Sequence, residues 1–334
     1  MRRPKKSTVK DVADRASVSV ASVSRVIRGD PAVGPEVRRA VEEAIKAVNY
    51  EIKPASLEKL NRRKIGLVIP DITNPYFPHL IKGISNIANL QNVEIVLCNS
   101  DNDIEREKAH FERLMSDGAQ GIIYIPFSAT QNPYLKKLIE AKYPMVFLDR
   151  EVNTHGTCSV ASNNEEGAYQ AITYLHSLGH RDIVFISGPE HLSTSITRKA
   201  GFLRGLAEFG IQHNPALDVS GNTTFDSSYQ VTSDLLQQKV IFTAIFASDD
   251  MMAFGAWKAL EARGLGVPED ISIIGYDDIP LASIMSLSTI AQPAYEIGRN
   301  ASMLLIDLIT RLREPPQKIV LRDSLIIRKS CRKI

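Results

Sequence analysis

Apolar residues recur at helical spacing twice within the first 28 positions of the chain. Val9, Val12, Ala13 and Ala16 line one face of a first helix, with Thr8 in the N-cap position. Ser17-Val18-Ser19 interrupts the stripe, and Val23, Val26 and Ile27 resume it behind Ser19, a second N-cap. Two short helices joined by such a turn bury one face against each other. The amino end of the second stays free, as in a helix-turn-helix. A third stripe, Val37, Ala40, Val41, Ala44, Ile45 and Val48, predicts an amphipathic helix that Pro35 opens.

Beyond a polar segment from Tyr50 to Lys64 the rhythm changes to short apolar runs separated by helical stretches. The runs are Ile65–Ile69, Glu94–Cys98, Gly121–Ile125, Met145–Leu148, Ile183–Ser187, Thr243–Ala247 and Ile271–Gly275. Runs of this kind suit strands buried on both faces, joined by right-handed helical crossovers. The pattern therefore predicts an all-α helix-turn-helix head and an α/β core of two doubly wound parallel-sheet lobes. At 334 residues and 44% hydrophobic content the chain can bury cores of that size.

Charge sharpens the division. Residues 1–64 carry 16 Lys and Arg against 8 Asp and Glu, and the rest carries 24 against 30. A head of +8 on a body of −6 gives the net +2, and suits a head that meets a polyanion. The opening MRRPKKSTVKD has no apolar h-region and no run of about 18 apolar residues exists, so a cytoplasmic protein without membrane contact is expected. Cys98, Cys158 and Cys331 lack metal-ligand spacing and read as ordinary reduced thiols. The seven His do not cluster, and no metal or cofactor is expected.

Seven segments then share an order with one family: KDVADRASVSVASVSRVI, IGLVIPDITNPYF, LDR at Leu148–Arg150, RKAGF at Arg198–Phe202, FASDDMMAFGA at Phe246–Ala256, VPEDISIIGYDDIPLA at Val267–Ala282 and LSTIAQPAYEIG at Leu287–Gly298. On these segments the chain resembles the LacI/GalR family of bacterial transcription regulators over nearly its whole length. The resemblance implies a DNA-binding domain (1–50), a hinge or linker (51–64) and a core like that of periplasmic sugar-binding proteins. In that core, 65–161 and 292–322 would form the N-terminal lobe, 162–291 and 323–334 the C-terminal lobe, and the effector would lie between them.

At the DNA end, Val20, Ala21 and Arg25 occupy the face expected to meet base edges. Arg25 can fork onto guanine, while Val20 and Ala21 offer only apolar contact. Ser19, Ser22 and Ser24, with Thr8 at the first helix, suit phosphate hydrogen bonds. Ser17 stands where the family usually has Gly, at a turn position that favours left-handed backbone. Arg28 replaces the common Asn and adds a cation near the DNA backbone. In Lys53–Leu60 the hinge should supply a minor-groove wedge, with Leu60 the best match and Leu57 its competitor.

At the effector end the resemblance points to Asn74, Tyr76 and Phe77 after the first core strand, Asp149 and Arg150 after another, and Arg198, Phe225, Asp249, Asp277 and Gln292. Open α/β sheets bind ligands at the carboxyl ends of their strands, where several of these fall. An Arg with paired carboxylates can hold vicinal hydroxyls bidentately. Plainer readings stand beside these: Phe77 and Phe225 as core aromatics, and Asp149–Arg150 as an interlobe ion pair. Asp250 and Asp278 read as helix caps or turn residues, and Asp101 and Asp103 as caps of the next helix. Glu105, Arg106, Glu107 and Lys108 read as a solvated face, and Ser193-Thr194-Ser195 as a loop.

The function expected is a sequence-specific transcription regulator, a repressor, binding double-stranded operator DNA under control of a small effector, a sugar by preference. A purine or nucleoside corepressor is the alternative within that architecture. A solute receptor is disfavoured by the basic head, and a sugar-processing enzyme by the lack of a poised acid/base pair. The end Ser330-Cys-Arg-Lys-Ile334 carries no leucine heptad, so a homodimer is expected.

Overall fold

The computed structural model describes residues 7–27, 33–50, 63–127, 133–150 and 156–334. Arg28, Leu57 and Leu60 lie outside the described residues. The chain separates into two units, residues 1–63 and 64–334.

The first unit is helical: α1 (Val9–Ala16), α2 (Val20–Ile27) and α3 (Pro35–Ala47). Thr8 and Asp11 form a capping box on α1, in which the Thr8 amide donates to the Asp11 carboxylate at 2.6 Å and the Thr8 hydroxyl accepts from the Asp11 amide. Ser19 Oγ accepts from the Ser22 amide at 3.0 Å, capping α2 as expected. Val12, Ala13, Val23, Val26, Val41 and Ala44 form the buried centre, and Val9, Ala16, Ile27, Val37, Ile45 and Val48 pack around it.

Ser17 closes α1 in the left-handed region, with φ 56° and ψ 38°. A Cβ in that region costs roughly 1–2 kcal/mol. Ser17→Gly is therefore expected to stabilise the head by about 0.5–1 kcal/mol, after the greater chain entropy of glycine is subtracted. Scanning calorimetry of the intact chain should show the head transition moving up; a downward move would contradict the strain.

The second unit holds two six-stranded sheets of matching order. The first contains β1 (Arg63–Ile69), β2 (Val93–Asn99), β3 (Ile122–Tyr124), β4 (Met145–Leu148), β5 (Cys158–Ser162) and β11 (Gln317–Leu321), arranged β2-β1-β3-β4-β5-β11. The second contains β6 (Ile183–Ser187), β7 (Asp218–Ser220), β8 (Ala244–Ala247), β9 (Ser272–Asp277), β10 (Ser288–Ala291) and β12 (Ser324–Ile326), arranged β7-β6-β8-β9-β10-β12. Neighbouring strands are parallel at β1/β3, β3/β4, β4/β5 and β5/β11, and from β7 through β10. β12 runs antiparallel to β10.

Helices α4 (Tyr76–Leu90), α5 (Ile104–Ser116) and α6 (Pro133–Glu140) connect strands of the first sheet. α7 (Asn164–Ser177) leads from the first sheet into the second, α8 (Ser193–Glu208), α9 (Phe225–Gln237), α10 (Asp250–Glu261) and the short α11 (Pro280–Ile284) connect strands of the second, and α12 (Ala294–Ile309) returns to the first. The chain crosses between sheets three times, after Ser162, after Ala291 and after Leu321.

α12 crosses α4 at backbone contact. A Cβ added to Gly298 would stand 2.0 Å from the Leu80 carbonyl oxygen, and one on Gly83 would stand 2.1 Å from that of Tyr295. Only glycine permits this approach, and it locks the start of α4 beside the crossover that leads into α12.

β2 departs from the expectation of burial on both faces: it lies at a sheet edge and leaves Leu97 exposed. Cys98, Cys158 and Cys331 are free thiols. Among the described residues no helix is long and apolar enough to cross a membrane.

Candidate functional site

On α2 the buried and exposed faces are cleanly divided. Val23 and Val26 face the core, whereas Ser19, Val20, Ala21 and Arg25 are exposed, with Val20 keeping 50% of its surface open. Ser22 and Ser24 are half-buried at the edges of that face. Among the described residues Arg25 has no ion-pair partner, so its guanidinium is available to a ligand. The Thr8 hydroxyl donates to the Asp11 carboxylate at 2.7 Å, which leaves it an occupied cap.

A cavity of about 340 Å3 opens between the two sheets of the second unit. Asn74, Tyr76, Phe77, Asp149, Arg150, Arg198, Asp249, Asp277 and Gln292 line it. Phe225 does not: it begins α9 and packs against the apolar core, the plainer of its two readings. The equivalence of the sheets explains the convergence. Asp149 follows β4 and Asp277 ends β9, the fourth strand of each sheet, so both carboxylates reach the cleft from strand carboxyl ends. Both have positive φ, 64° and 108°. Backbone strain of this kind costs about 1–3 kcal/mol per residue and is retained where surrounding structure enforces it.

Arg198, from α8, organises the floor. Its Nε donates to Asn164 Oδ1 at 2.7 Å, Nη1 donates to the Ser248 carbonyl, and Nη2 pairs with Asp277 Oδ1 at 3.4 Å. The guanidinium carbon lies 3.7 Å from the centre of the Tyr276 ring, a cation–π contact. Burial opposes the charge of Arg198, but Asp277 and the neighbouring acids outweigh it and hold the guanidinium firmly protonated. Tyr76 donates to Asp149 Oδ1 at 2.9 Å and to Gln292 Oε1 at 3.3 Å, while Gln292 Nε2 donates to Asp277 Oδ1 at 2.7 Å. This network spans both lobes.

Several neighbours have roles the pattern did not reveal. Asp249 itself caps α10, accepting from the Met252 amide at 2.7 Å. Asp250, read as a cap or turn residue, is fully buried and ties Thr289 Oγ1 (2.6 Å) and the Ile279 amide (2.9 Å) together. Glu107 is not on a solvated face. It is buried, accepting from the Tyr124 hydroxyl at 2.6 Å and the Phe127 amide at 3.1 Å. Asp103 caps α5, Asp101 pairs with Arg106, and Asp278 pairs with Arg328. Ser193-Thr194-Ser195 forms the first turn of α8, not a loop. Arg150 donates to the Pro126 carbonyl at 3.0 Å and forms no ion pair with Asp149.

Phe127, His191, Thr194, Asn222, Thr223 and Thr224 also line the cavity and were not anticipated. The rings of Phe127 and His191 meet across the cleft at 4.9 Å. Applying the strand-end rule to β3, β6 and β7 as well as β1 and β4 would have found them.

Burial pushes the carboxyl of Asp249 up to about 6 and that of Asp277 to about 8, against the pull of Arg198. The folded core thus binds these protons more tightly than the unfolded chain, so their stabilisation is complete below the ordinary carboxyl range, about pH 4, and is lost as pH rises through about 6 and about 8. Scanning calorimetry of the unliganded chain should show the core transition falling from about pH 5.5 to about pH 8.5. A rise over that window would contradict the assignment.

Residues 8–52 match the family of bacterial regulatory proteins, lacI family, and residues 172–331 match a periplasmic binding protein-like domain. The ribose operon repressor of Halalkalibacterium halodurans is 37% identical over 95% of this chain and 97% of its own length. The HTH-type transcriptional repressor PurR of Pectobacterium atrosepticum is 36% identical over 97% of this chain and 96% of its own. Among solved structures, the lac repressor dimer bound to operator and the anti-inducer ONPF matches with a TM-score of 0.81 at 26% identity, covering 98% of this chain and 99% of that one.

Proposed function

Because the chain belongs to the lacI family of bacterial regulatory proteins, we propose that it is a sequence-specific repressor of transcription whose grip on operator DNA is set by a sugar bound between its core lobes. The observation that carries this reading is the presence, in one chain, of a recognition helix with an open Arg25 face and an interlobe cavity whose carboxylates gather around Arg198. It acts by binding, not by catalysis.

In this reading Arg25, Val20 and Ala21 meet base edges, and Ser19, Ser22, Ser24 and Arg28 contact phosphates. Residues 51–64 form the hinge, with Leu60 as the wedge and Leu57 as its alternative. Two copies of the chain present two heads to an approximately palindromic duplex. Equilibrium sedimentation should give a dimer, and a stable tetramer would contradict it.

A neutral polyhydroxylated ligand suits the cavity. Asp149, Asp249 and Asp277 can accept hydroxyl protons, Asn74 can donate, and Arg198 is already engaged with protein partners. Tyr76 and Phe77 meet edge to face, at 5.5 Å and 64°, with the Tyr76 hydroxyl tied into the carboxylate network. That geometry offers no parallel slot for a nucleobase, which favours the sugar over the purine. The 37% identical relative is a ribose operon repressor, so D-ribose is the first ligand to test.

Hydroxyl donors bind best to ionised carboxylates, so sugar affinity is expected to rise between about pH 6 and about 8, opposite to the trend in unliganded stability. Calorimetric titration at both ends of that window would show it; equal affinities would mean that these carboxyls do not contact the ligand. The DNA half is tested by mobility shift of a palindromic promoter fragment over a salt series. A regulator should show a steep salt slope and preference over scrambled duplex, and absence of any preference would defeat the reading.

A further inference from the structure

The three crossovers between the sheets are tied to one another in a closed triangle. The first and third are joined by backbone beside the first sheet. There β5 and β11 stay in register as far as Ser162 and Leu321, and the Asn163 amide donates to the Leu321 carbonyl at 2.9 Å. The second and third are joined by backbone beside the second sheet, where Ala291 of β10 pairs with Ser324 of β12. The remaining side of the triangle is made by side chains: Ser162 Oγ donates to Gln292 Oε1 at 2.7 Å. Among the described residues no other hydrogen bond joins the first crossover to the second. Ser162 is 6% exposed and is not among the residues that line the interlobe cavity. Gln292 does line it, and its Nε2 donates to the Asp277 carboxyl.

We propose that Ser162 is a positioning residue for the regulatory response: its hydroxyl passes a displacement of Gln292 at the occupied cavity to the first crossover, so that all three crossovers turn together. This relay rests on the interlobe cavity being the sugar site. The two backbone links meet only at the third crossover, so alone they leave the second free to swivel against the first. The Ser162 bond removes that freedom. A shift of Asp277 and Gln292 toward a sugar hydroxyl then moves the end of β5, and with it the first sheet. Gln292 Oε1 also accepts from the Tyr76 hydroxyl, so loss of the Ser162 hydroxyl orphans no acceptor on Gln292 and the fold should survive it.

The test is equilibrium titration of the intact chain with D-ribose or D-glucose and with the duplex it selects from a randomised pool. Each ligand is titrated with and without the other, which gives the coupling factor twice over. In the wild type the bound sugar should change duplex affinity by about 5- to 150-fold. Ser162→Ala should bind the sugar within about threefold of the wild type, since Ser162 lies outside the cavity. Its coupling factor should nevertheless fall about fivefold or more. Ser162→Thr, which keeps the hydroxyl, should retain the factor. Thermal melts establish that each variant is folded; a purely structural role for Ser162 would lower the melt and leave the factor unchanged. A wild-type factor in folded Ser162→Ala overturns the relay alone, and so does a folded Ser162→Thr as uncoupled as the alanine variant. A wild type that binds neither sugar, or whose duplex affinity ignores a bound one, overturns the sugar-site reading and the relay with it.

Discussion

Arg198→Met is expected to lower sugar affinity by about a hundredfold or more and to destabilise the core by about 3–5 kcal/mol. The arginine and Asp277 are both more than nine-tenths buried, and the ion pair is only one of its contacts. Methionine keeps the apolar stem but loses the cation–π contact with Tyr276, orphans Asn164 Oδ1 and the Ser248 carbonyl, and leaves Asp277 with Gln292 Nε2 but no cation. Each orphaned acceptor bears its desolvation penalty, and Asp277 loses the cation whose pull opposes the upward push of burial on its carboxyl. Arg198→Lys should recover only part of the loss, because an ammonium cannot fork between Asn164, Ser248 and Asp277 at once. Melting curves and calorimetric titration check both effects. A variant that keeps wild-type stability and affinity would mean that the floor of the cavity is organised by something else.

The second large effect belongs to the head. Arg25→Ala is expected to weaken binding to the preferred duplex by about 1–3 kcal/mol and to flatten discrimination at one guanine, leaving head stability within about 0.5 kcal/mol. Stability is spared because Arg25 is exposed and makes no ion pair among the described residues. Ser24→Ala should instead lower affinity for all duplexes alike, as loss of a phosphate contact does. Fluorescence anisotropy against a set of duplexes that differ at single positions separates the two patterns. If Arg25→Ala weakened every duplex equally, Arg25 would be a phosphate contact and base readout would fall to other residues.

The head was legible residue by residue. Its stripes map onto the buried Val12, Ala13, Val23, Val26, Val41 and Ala44, and the left-handed strain at Ser17 followed from a side chain where the turn favours glycine. In the core the seven apolar runs correspond to β1, β2, β3, β4, β6, β8 and β9, because buried parallel strands have a continuous apolar signature. β5 and β10 did not show because Ser and Thr interrupt their apolar runs, and β7, β11 and β12 did not because half-exposed edge strands mix polar and apolar positions.

Cavity residues set by strand ends were legible through the rule that places ligands there. Side chains whose roles depend on tertiary burial were not. Glu107 sits in the charged run Glu105-Arg106-Glu107-Lys108, yet the fold turns it inward to the Tyr124 hydroxyl and Phe127 amide. Asp249 and Asp250 are adjacent and chemically identical, and only the direction of α10 decides which caps the helix and which is buried against Thr289. Phe225 illustrates the reverse error: an aromatic beside cavity residues Asn222, Thr223 and Thr224 is one helical step too far on, and faces the core.

The central claim is that DNA and sugar bind the same chain at separate places and alter one another's affinity. It is tested most directly by equilibrium titration of the intact chain against the duplex it selects from a randomised pool, with and without saturating sugar. The account predicts a near-palindromic selected duplex and a sugar-dependent change in its affinity. The same factor must appear in the sugar affinity measured with and without that duplex. A selected duplex whose affinity ignores every sugar that the core binds, or a pool from which no sequence emerges, would contradict it.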